Sequence, residues 1–272
     1  MTFGIADFVG GFAARRTPAV TVVAGSHVIA LGAIFAVGPL FGEGFPPASD
    51  LAWGFAGGMA GSVGLAVFYH ALATTRIGVA APVASVVSTV VPVVFGIVTG
   101  ERPGAIAWVG MLLAIPAMLL LPATGRALSA DPSGLKGHRA AVLGAIAGVG
   151  FGLFGIFISL TRAESGLWPL AGARFGSLAL MAVVVAVMKV PFLPGKAAWR
   201  AVAGAGILDM AANVLFLLAV RRELLSLVAV IMSFYPASTI ALARVVLGER
   251  TVPRQLLGLG LAVAAVTLIA VA

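Results

Sequence analysis

The stretch GERTVPRQLLG (Gly248–Gly258) repeats the pattern of an earlier stretch, GERPGAIAWVG (Gly100–Gly110). In both, Gly-Glu-Arg is followed by seven residues and then by a glycine, and the copies lie 248 − 100 = 148 residues apart. A repeat at about half the length of a 272-residue chain indicates two related halves. The same offset aligns other identical residues: Ser85 with Ser233, Leu113 with Leu261, and Ala114 with Ala262.

The composition predicts an integral membrane protein. The chain is 61% hydrophobic and 10% charged, with a mean hydropathy of +1.14, whereas soluble domains carry about 25% charged residues. The net charge of +8 lies mostly in short segments between apolar runs, as expected of loops that face lipid headgroups, so it requires no nucleic-acid partner. The absence of cysteine excludes disulfides, thiolate metal sites and cysteine nucleophiles.

Ten apolar runs are candidates for membrane helices, which need about 20 residues each to span the bilayer. A polar stretch at 123–139 divides them into two predicted five-helix repeats, residues 1–122 and 140–272. Because five is odd, the second repeat must enter the membrane from the opposite side, which gives the inverted repeat typical of secondary transporters. The runs are 3–14, 18–40, 51–73, 77–99, 104–122, 140–161, 168–188, 199–220, 224–247 and 255–272.

The first run is too short to span the bilayer unaided. We therefore expect several apolar residues to precede Met1 in the native protein. Asp7 then lies within the membrane if the helix extends upstream, and at its interface otherwise.

These features resemble the EamA type of the drug/metabolite transporter superfamily, whose members carry ten helices in two five-helix halves. The most family-like stretches are Ser85–Leu121 and Ser233–Ala270, each with a proline-containing helix, a Gly-Glu turn and a glycine-bearing final helix. Gly4–Asp7 also looks like the opening of the family's first helix. The resemblance implies transport of a small-molecule substrate across the lipid bilayer and leaves the substrate undefined.

The two Gly-Glu-Arg turns have a structural and a functional interpretation. The glycine of each turn is suited to end a helix in the left-handed region, and Glu101 or Glu249 would then lie at the N-terminus of the next helix, where negative charge is favoured. The family resemblance implies an alternative, in which these turns pair across the mouth of the pathway as gates. The structural interpretation is favoured.

Asp209 is the strongest candidate for a substrate-pathway residue, because ionisable groups in the bilayer core are costly and usually functional. It falls midway along the eighth run, and Asn213 lies one turn later on the same face. Asp209 could bind a cationic substrate, carry a coupling proton or simply neutralise Arg174, which lies well inside the seventh run. With both charges in the cavity, a zwitterion such as an amino acid fits slightly better than a pure cation.

His27 occupies the repeat position that matches Arg174. A histidine titrates near neutral pH, which suits proton coupling, yet a packed, neutral histidine is equally consistent with the sequence.

Ser85 and Ser233 precede Pro92 and Pro236 by a few residues. Proline frees a helix carbonyl that hydroxyls can satisfy, so the two prolines are candidate hinges and the two serines candidate ligand contacts; static kinks are equally consistent. Tyr235 could stack on or hydrogen-bond to a substrate.

The orientation of the chain remains open. Eleven Lys and Arg residues fall in the first, third, fifth, seventh and ninth connections and four in the others, so the positive-inside rule puts both termini outside. The family resemblance implies cytoplasmic termini instead.

The predicted function is a gradient-driven secondary transporter of small organic metabolites, such as amino acids or drugs, with a proton as possible coupling ion. The sequence has no phosphate-binding GxxxxGK[ST] motif, no cofactor is predicted, and neither a catalytic nor a metal site is expected. Alternatives are a non-transporting scaffold and, less favoured, a membrane-embedded enzyme. We expect a multi-pass protein of the bacterial inner membrane, for which a monomer suffices and an oligomer is possible.

Overall fold

The computed structural model describes residues 2–14, 16–38, 46–75, 77–120, 135–235 and 253–272. Within these ranges the protein is helical, with ten α-helices and one short 3₁₀ turn at Ala163–Ser165. The helices are α1 (Thr2–Ala13), α2 (Ala19–Val37), α3 (Ala48–Thr74), α4 (Ile77–Val98), α5 (Ala105–Leu120), α6 (Leu135–Ser159), α7 (Trp168–Met188), α8 (Lys196–Val220), α9 (Leu225–Met232) and α10 (Pro253–Ala270).

Seven of the described helices, namely α2, α3, α4, α6, α7, α8 and α10, are long and apolar enough to cross a membrane, and α1 and α5 are shorter apolar helices. Large apolar side chains stand exposed on the outside of the bundle, for example Leu112 on α5, Val183 on α7 and Leu257 on α10. Such a surface is unfavourable in water and suited to lipid. The protein is therefore an integral, multi-pass membrane protein.

Most helices begin and end within a few residues of the predicted runs, but two differ. Helix α6 begins at Leu135, inside the polar stretch predicted for 123–139. Helix α9 ends at Met232 and a turn follows at 233–234, whereas one run was predicted from 224 to 247. Proline at position 236 lacks the N–H that would bond to the carbonyl of Met232 four residues earlier, which explains a helix end there.

Helices α3 and α7 are packed through glycines on both partners. A Cβ atom on Gly58 would overlap the Ala173 carbonyl, and one on Gly176 would overlap the Phe55 carbonyl. This small-residue contact lets two backbones approach closely, as in other membrane helix pairs. Gly144 and Gly148 also bring α6 close to the carbonyls of α4.

Helix α3 also contacts α6, while α8 contacts α1 and α2. Helix α4 packs on α6 and α9, and the helices that end the two halves, α5 and α10, pack on each other. The α5–α10 contact is built from small residues, because a Cβ on Gly110 would meet Ile269 and the Ala265 carbonyl. This arrangement leaves a space in the centre, bounded by helices of both halves.

Candidate functional site

A cavity of about 150 Å³ lies in this central space. Its walls come from α1, α2, α3, α4, α6, α7, α8 and α9 and from the turn that follows α9. The wall is mostly apolar, with four phenylalanines, and a small set of ionisable and polar side chains interrupts it. A concave, largely apolar pocket with a few convergent polar groups is the usual form of a small-molecule site.

The charged part of the wall is an ion pair between two predicted residues. Arg174 of α7 donates from Nη2 to Oδ2 of Asp209 of α8 over 2.8 Å. His27 of α2 lies behind the pair, with Nε2 3.9 Å from the same carboxylate oxygen and Nδ1 in a hydrogen bond with the Ser177 hydroxyl. The structure thus brings Arg174, Asp209 and His27 together from both halves. Nothing in the sequence pattern pointed to Ser177.

The members of this cluster differ in exposure. The side chain of Asp209 is 20% exposed, while those of Arg174 and His27 are each 4% exposed. The Nε of Arg174 is buried and has no hydrogen-bond partner among the described residues. All three side chains line the cavity, and the carboxylate is the most accessible of them.

Asn213 lines the cavity one turn after Asp209, on the predicted face. Its Nδ2 donates to the backbone carbonyl of Asp209 over 2.7 Å. The amide thus fixes the helix turn that carries the carboxylate.

The predicted serines have different positions. Ser233 lines the cavity, as do Tyr235 and Pro92. Ser85 is fully buried and donates to the Ser233 carbonyl over 2.7 Å, so it supports the wall from behind. Helix α4 continues through Pro92 without a break. Pro236 and Glu249 lie outside the described residues.

Asp7 is a further ionisable cavity residue, whose place within the membrane the sequence analysis predicted only conditionally. Its side chain lines the cavity from α1, and it lies within electrostatic range of Asp209 and Tyr235. A further signal was present in α3, where Gly58, Ser62 and Leu65 recur at helical spacing and all line the cavity. That signal was too weak to use in a chain with 35 glycines.

One end of the bundle is closed by contacts between the halves; we call it the latch face and define it as residues 47–50, 99–104, 160–167 and 221–226. Gly100 ends α4 with a φ of 107°, and the Glu101 N–H bonds to the Gly96 carbonyl. The Glu101 carboxylate then accepts the N–H groups of Leu225 and Ser226 over 2.7 and 3.0 Å.

Glu101 therefore caps α9, in the other half of the chain. The sequence interpretation, which put it at the N-terminus of the next helix, was wrong on this point. Helix α5 begins only at Ala105, and the positive φ of Gly100 turns the chain back under α4. A carboxylate at the first N–H groups of α9 satisfies two otherwise unpaired donors and is favoured by the helix dipole.

Asp50, at the start of α3, forms the second contact across the latch face. Its Oδ2 accepts the Arg162 N–H over 3.1 Å and the Ser165 hydroxyl, and the Arg162 side chain lies 3.5 Å from Oδ1. Arg221 adds hydrogen bonds to the carbonyls of Arg162 and Gly166 over 3.0 and 2.6 Å. The turn between α6 and α7 is thus held from two sides.

Comparisons with known proteins agree with this architecture. A solved crystal structure shares the fold with a TM-score of 0.75, over 99% of this chain and 95% of the other, at 18% sequence identity. No curated protein matches the sequence. Residues 138–271, the second half of the chain, match the model of the EamA-like transporter family. This match supports membership of the EamA type of the drug/metabolite transporter superfamily.

Proposed function

We propose that the protein is a secondary transporter that moves small organic metabolites across the membrane by alternating access. The observation that carries the proposal is the central cavity, in which an ion pair of α7 and α8 meets His27 of α2. A charged site at the boundary of two halves, within a member of a transporter family, is the arrangement that alternating access uses.

The pairing of helices supports an inverted repeat of ten spans. Suppose that α1 to α5 correspond to α6 to α10. The contact between α3 and α6 then corresponds to the contact between α8 and α1, and the contact between α3 and α7 corresponds to that between α8 and α2. Helices α4 and α9, like α5 and α10, each pack on their own counterpart. Residues near a two-fold axis meet their equivalents, as Ser85 does in bonding to Ser233, 148 positions away.

The latch face gives the proposed transporter a gate. Glu101 and Asp50 belong to the first half, and both bind backbone N–H groups of the second half. Opening a path to the cavity from this end would separate these partners. We therefore assign Glu101 the role of a gate residue, which combines the two interpretations of the Gly-Glu-Arg turn.

Energy would come from an ion gradient or from exchange, with a proton as the proposed coupling ion. Asp209 and His27 are the groups in the cluster that can exchange protons. A bacterial inner membrane is the proposed location, and a monomer suffices because one chain supplies both walls of the cavity. An enzyme is less favoured, since the described residues include no group of three or more acidic, His or Cys side chains suited to hold a metal.

The function is tested by blocking the cavity. Ser88 of α4 lines it, whereas Val90, two residues on, is 46% exposed on the outside. Bacteria expressing the wild type, Ser88→Phe or Val90→Phe at matched membrane levels are compared by mass spectrometry of intracellular and extracellular metabolites. We expect one compound class to redistribute with the wild type and Val90→Phe but not with Ser88→Phe. Equal profiles in all three strains and in the empty-vector strain would contradict transport and favour the scaffold.

A further inference from the structure

We propose that the cavity binds a small organic monocation, an amine with one aromatic-sized apolar body, and that Asp7 is its counter-ion. This inference rests on the proposed function, because it names the substrate class of the same cavity. It differs from the zwitterion that the pair of Asp209 and Arg174 suggested from sequence.

The charge of the wall is the first step. Asp209 and Arg174 neutralise each other over 2.8 Å. An imidazole has an unperturbed pKa of about 6.5 and is mostly neutral at pH 7, so His27 adds little charge. Asp7 remains: within the described part of the chain, no hydrogen bond or ion pair to its carboxylate is found. With Asp7 ionised, the described lining residues thus carry a net charge of −1, which a zwitterionic ligand would leave unchanged and a monocation would cancel.

A net charge is costly in a largely apolar space inside a membrane protein, where ions are stable only when paired. Arg174 cannot neutralise the charge of Asp7 without leaving Asp209, because it already binds a carboxylate oxygen of Asp209. Among the described residues, the charge of Asp7 is therefore balanced either by a proton bound to its carboxyl group or by a cationic ligand that displaces this proton. An ammonium group is suited to this place, because it donates hydrogen bonds to a carboxylate.

The remaining wall is suited to an aromatic or similar apolar body. Phe3, Phe151, Phe154 and Phe216 line the cavity, and the rings of Phe154 and Phe216 lie 6.1 Å apart. Aromatic faces attract cations as well as apolar groups. A dry cavity of about 150 Å³ is known to hold a benzene ring, and this cavity has that volume.

Three probes with the same phenyl and two-carbon body separate the charge classes: phenethylamine (cation), phenylalanine (zwitterion) and 3-phenylpropanoate (anion). Binding to the purified full-length protein is measured by isothermal titration calorimetry. We expect phenethylamine to bind most tightly. In Asp7→Asn its affinity should fall by about tenfold or more, the effect of losing one charge-assisted hydrogen bond, with little change for the other probes.

Two variants control for unfolding and for general charge effects. Asp7→Glu keeps the charge and should keep the order of the three probes. Glu164→Gln removes a carboxylate from the exposed 3₁₀ turn outside the cavity and should leave all affinities unchanged.

Tightest binding of phenylalanine, equal phenethylamine affinity in wild type and Asp7→Asn, or no saturable binding of the amine would each overturn the proposal. The outcomes for the proposed transport function can be told apart from those for the cation site. If phenethylamine binds through Asp7 but neither it nor any metabolite crosses the membrane, the cation site stands and transport does not. If metabolites redistribute but the amine does not bind, transport stands and this site assignment is wrong.

Discussion

Replacing Glu101 by Gln should open the latch face. The carboxylate accepts two N–H groups at the start of α9, over 2.7 and 3.0 Å. Gln keeps one acceptor oxygen and loses the charge, so the variant loses one hydrogen bond to a charged group and a favourable interaction with the helix dipole. We estimate the combined loss at about 1.5 kcal/mol, which corresponds to a roughly tenfold larger open population.

The absence of cysteine in the sequence provides a clean assay. Ser226 is fully buried at the latch face, and its hydroxyl has no hydrogen-bond partner among the described residues, so Ser226→Cys introduces a single thiol at little structural cost. Its reaction with a membrane-impermeant maleimide follows the open population when opening and closing are fast compared with labelling.

We expect Glu101→Gln to label about tenfold faster than its Ser226→Cys parent, in line with the free energy estimated above. Glu223→Gln is the matched control, because Glu223 is an exposed carboxylate on the same face, three residues from the thiol. Its labelling rate should equal that of the parent. Equal rates in Glu101→Gln and Glu223→Gln would refute the role of the cap in closing this face.

Three further outcomes follow from contacts in the bundle. Asp209→Asn leaves the buried Arg174 guanidinium without a full counter-charge and should destabilise the protein by about 3–5 kcal/mol, measured by thermal unfolding in detergent. The double variant Arg174→Met/Asp209→Leu should recover most of that loss. If it does not, the two residues do not act as a simple ion pair. Gly58→Ala should lower the melting temperature strongly, because its methyl group overlaps the Ala173 carbonyl. Gly204→Ala is the control and should not lower it, because no atom lies within 4 Å of the added methyl group. Equal melting temperatures of the two variants would show that α3 and α7 separate easily. Asp50→Asn should accelerate labelling of the Ser226→Cys thiol, and its effect should add to that of Glu101→Gln if the two contacts close the face independently.

The sequence predicted the helices well because each apolar run has to satisfy its own backbone within the bilayer. It also offered neutralisation of Arg174 as one of three roles for Asp209, since two opposite charges at similar depth in neighbouring runs have few other ways to be neutralised. Both inferences use only local composition and depth.

The contacts between distant segments could not be predicted in this way. Glu101 caps a helix that begins 124 positions later, and nothing in GERPGAIAWVG distinguishes α9 from α5 as its target. Asp50 likewise contacts Arg162 and Ser165 through the packing of α3 on α6 and α7. Such partners depend on which helix ends meet, and for Asp50 the glycine contacts of α3 between Gly54 and Gly64 contribute to this packing.

The exposure of the charged cluster bears on the two interpretations of Asp209. A purely structural pair would be expected to bury both partners equally, yet the Asp209 side chain is 20% exposed and that of Arg174 only 4%. A ligand in the cavity meets the carboxylate first, and any cation that binds there competes with Arg174 for the same oxygen. Because Arg174 is otherwise unpaired at Nε among the described residues, weakening its bond to Asp209 raises the cost of its burial. Binding at Asp7, which leaves that bond intact, avoids this cost, so the structure favours Asp7 as the point of attachment and Asp209 as the group that neutralises Arg174 and joins α7 to α8.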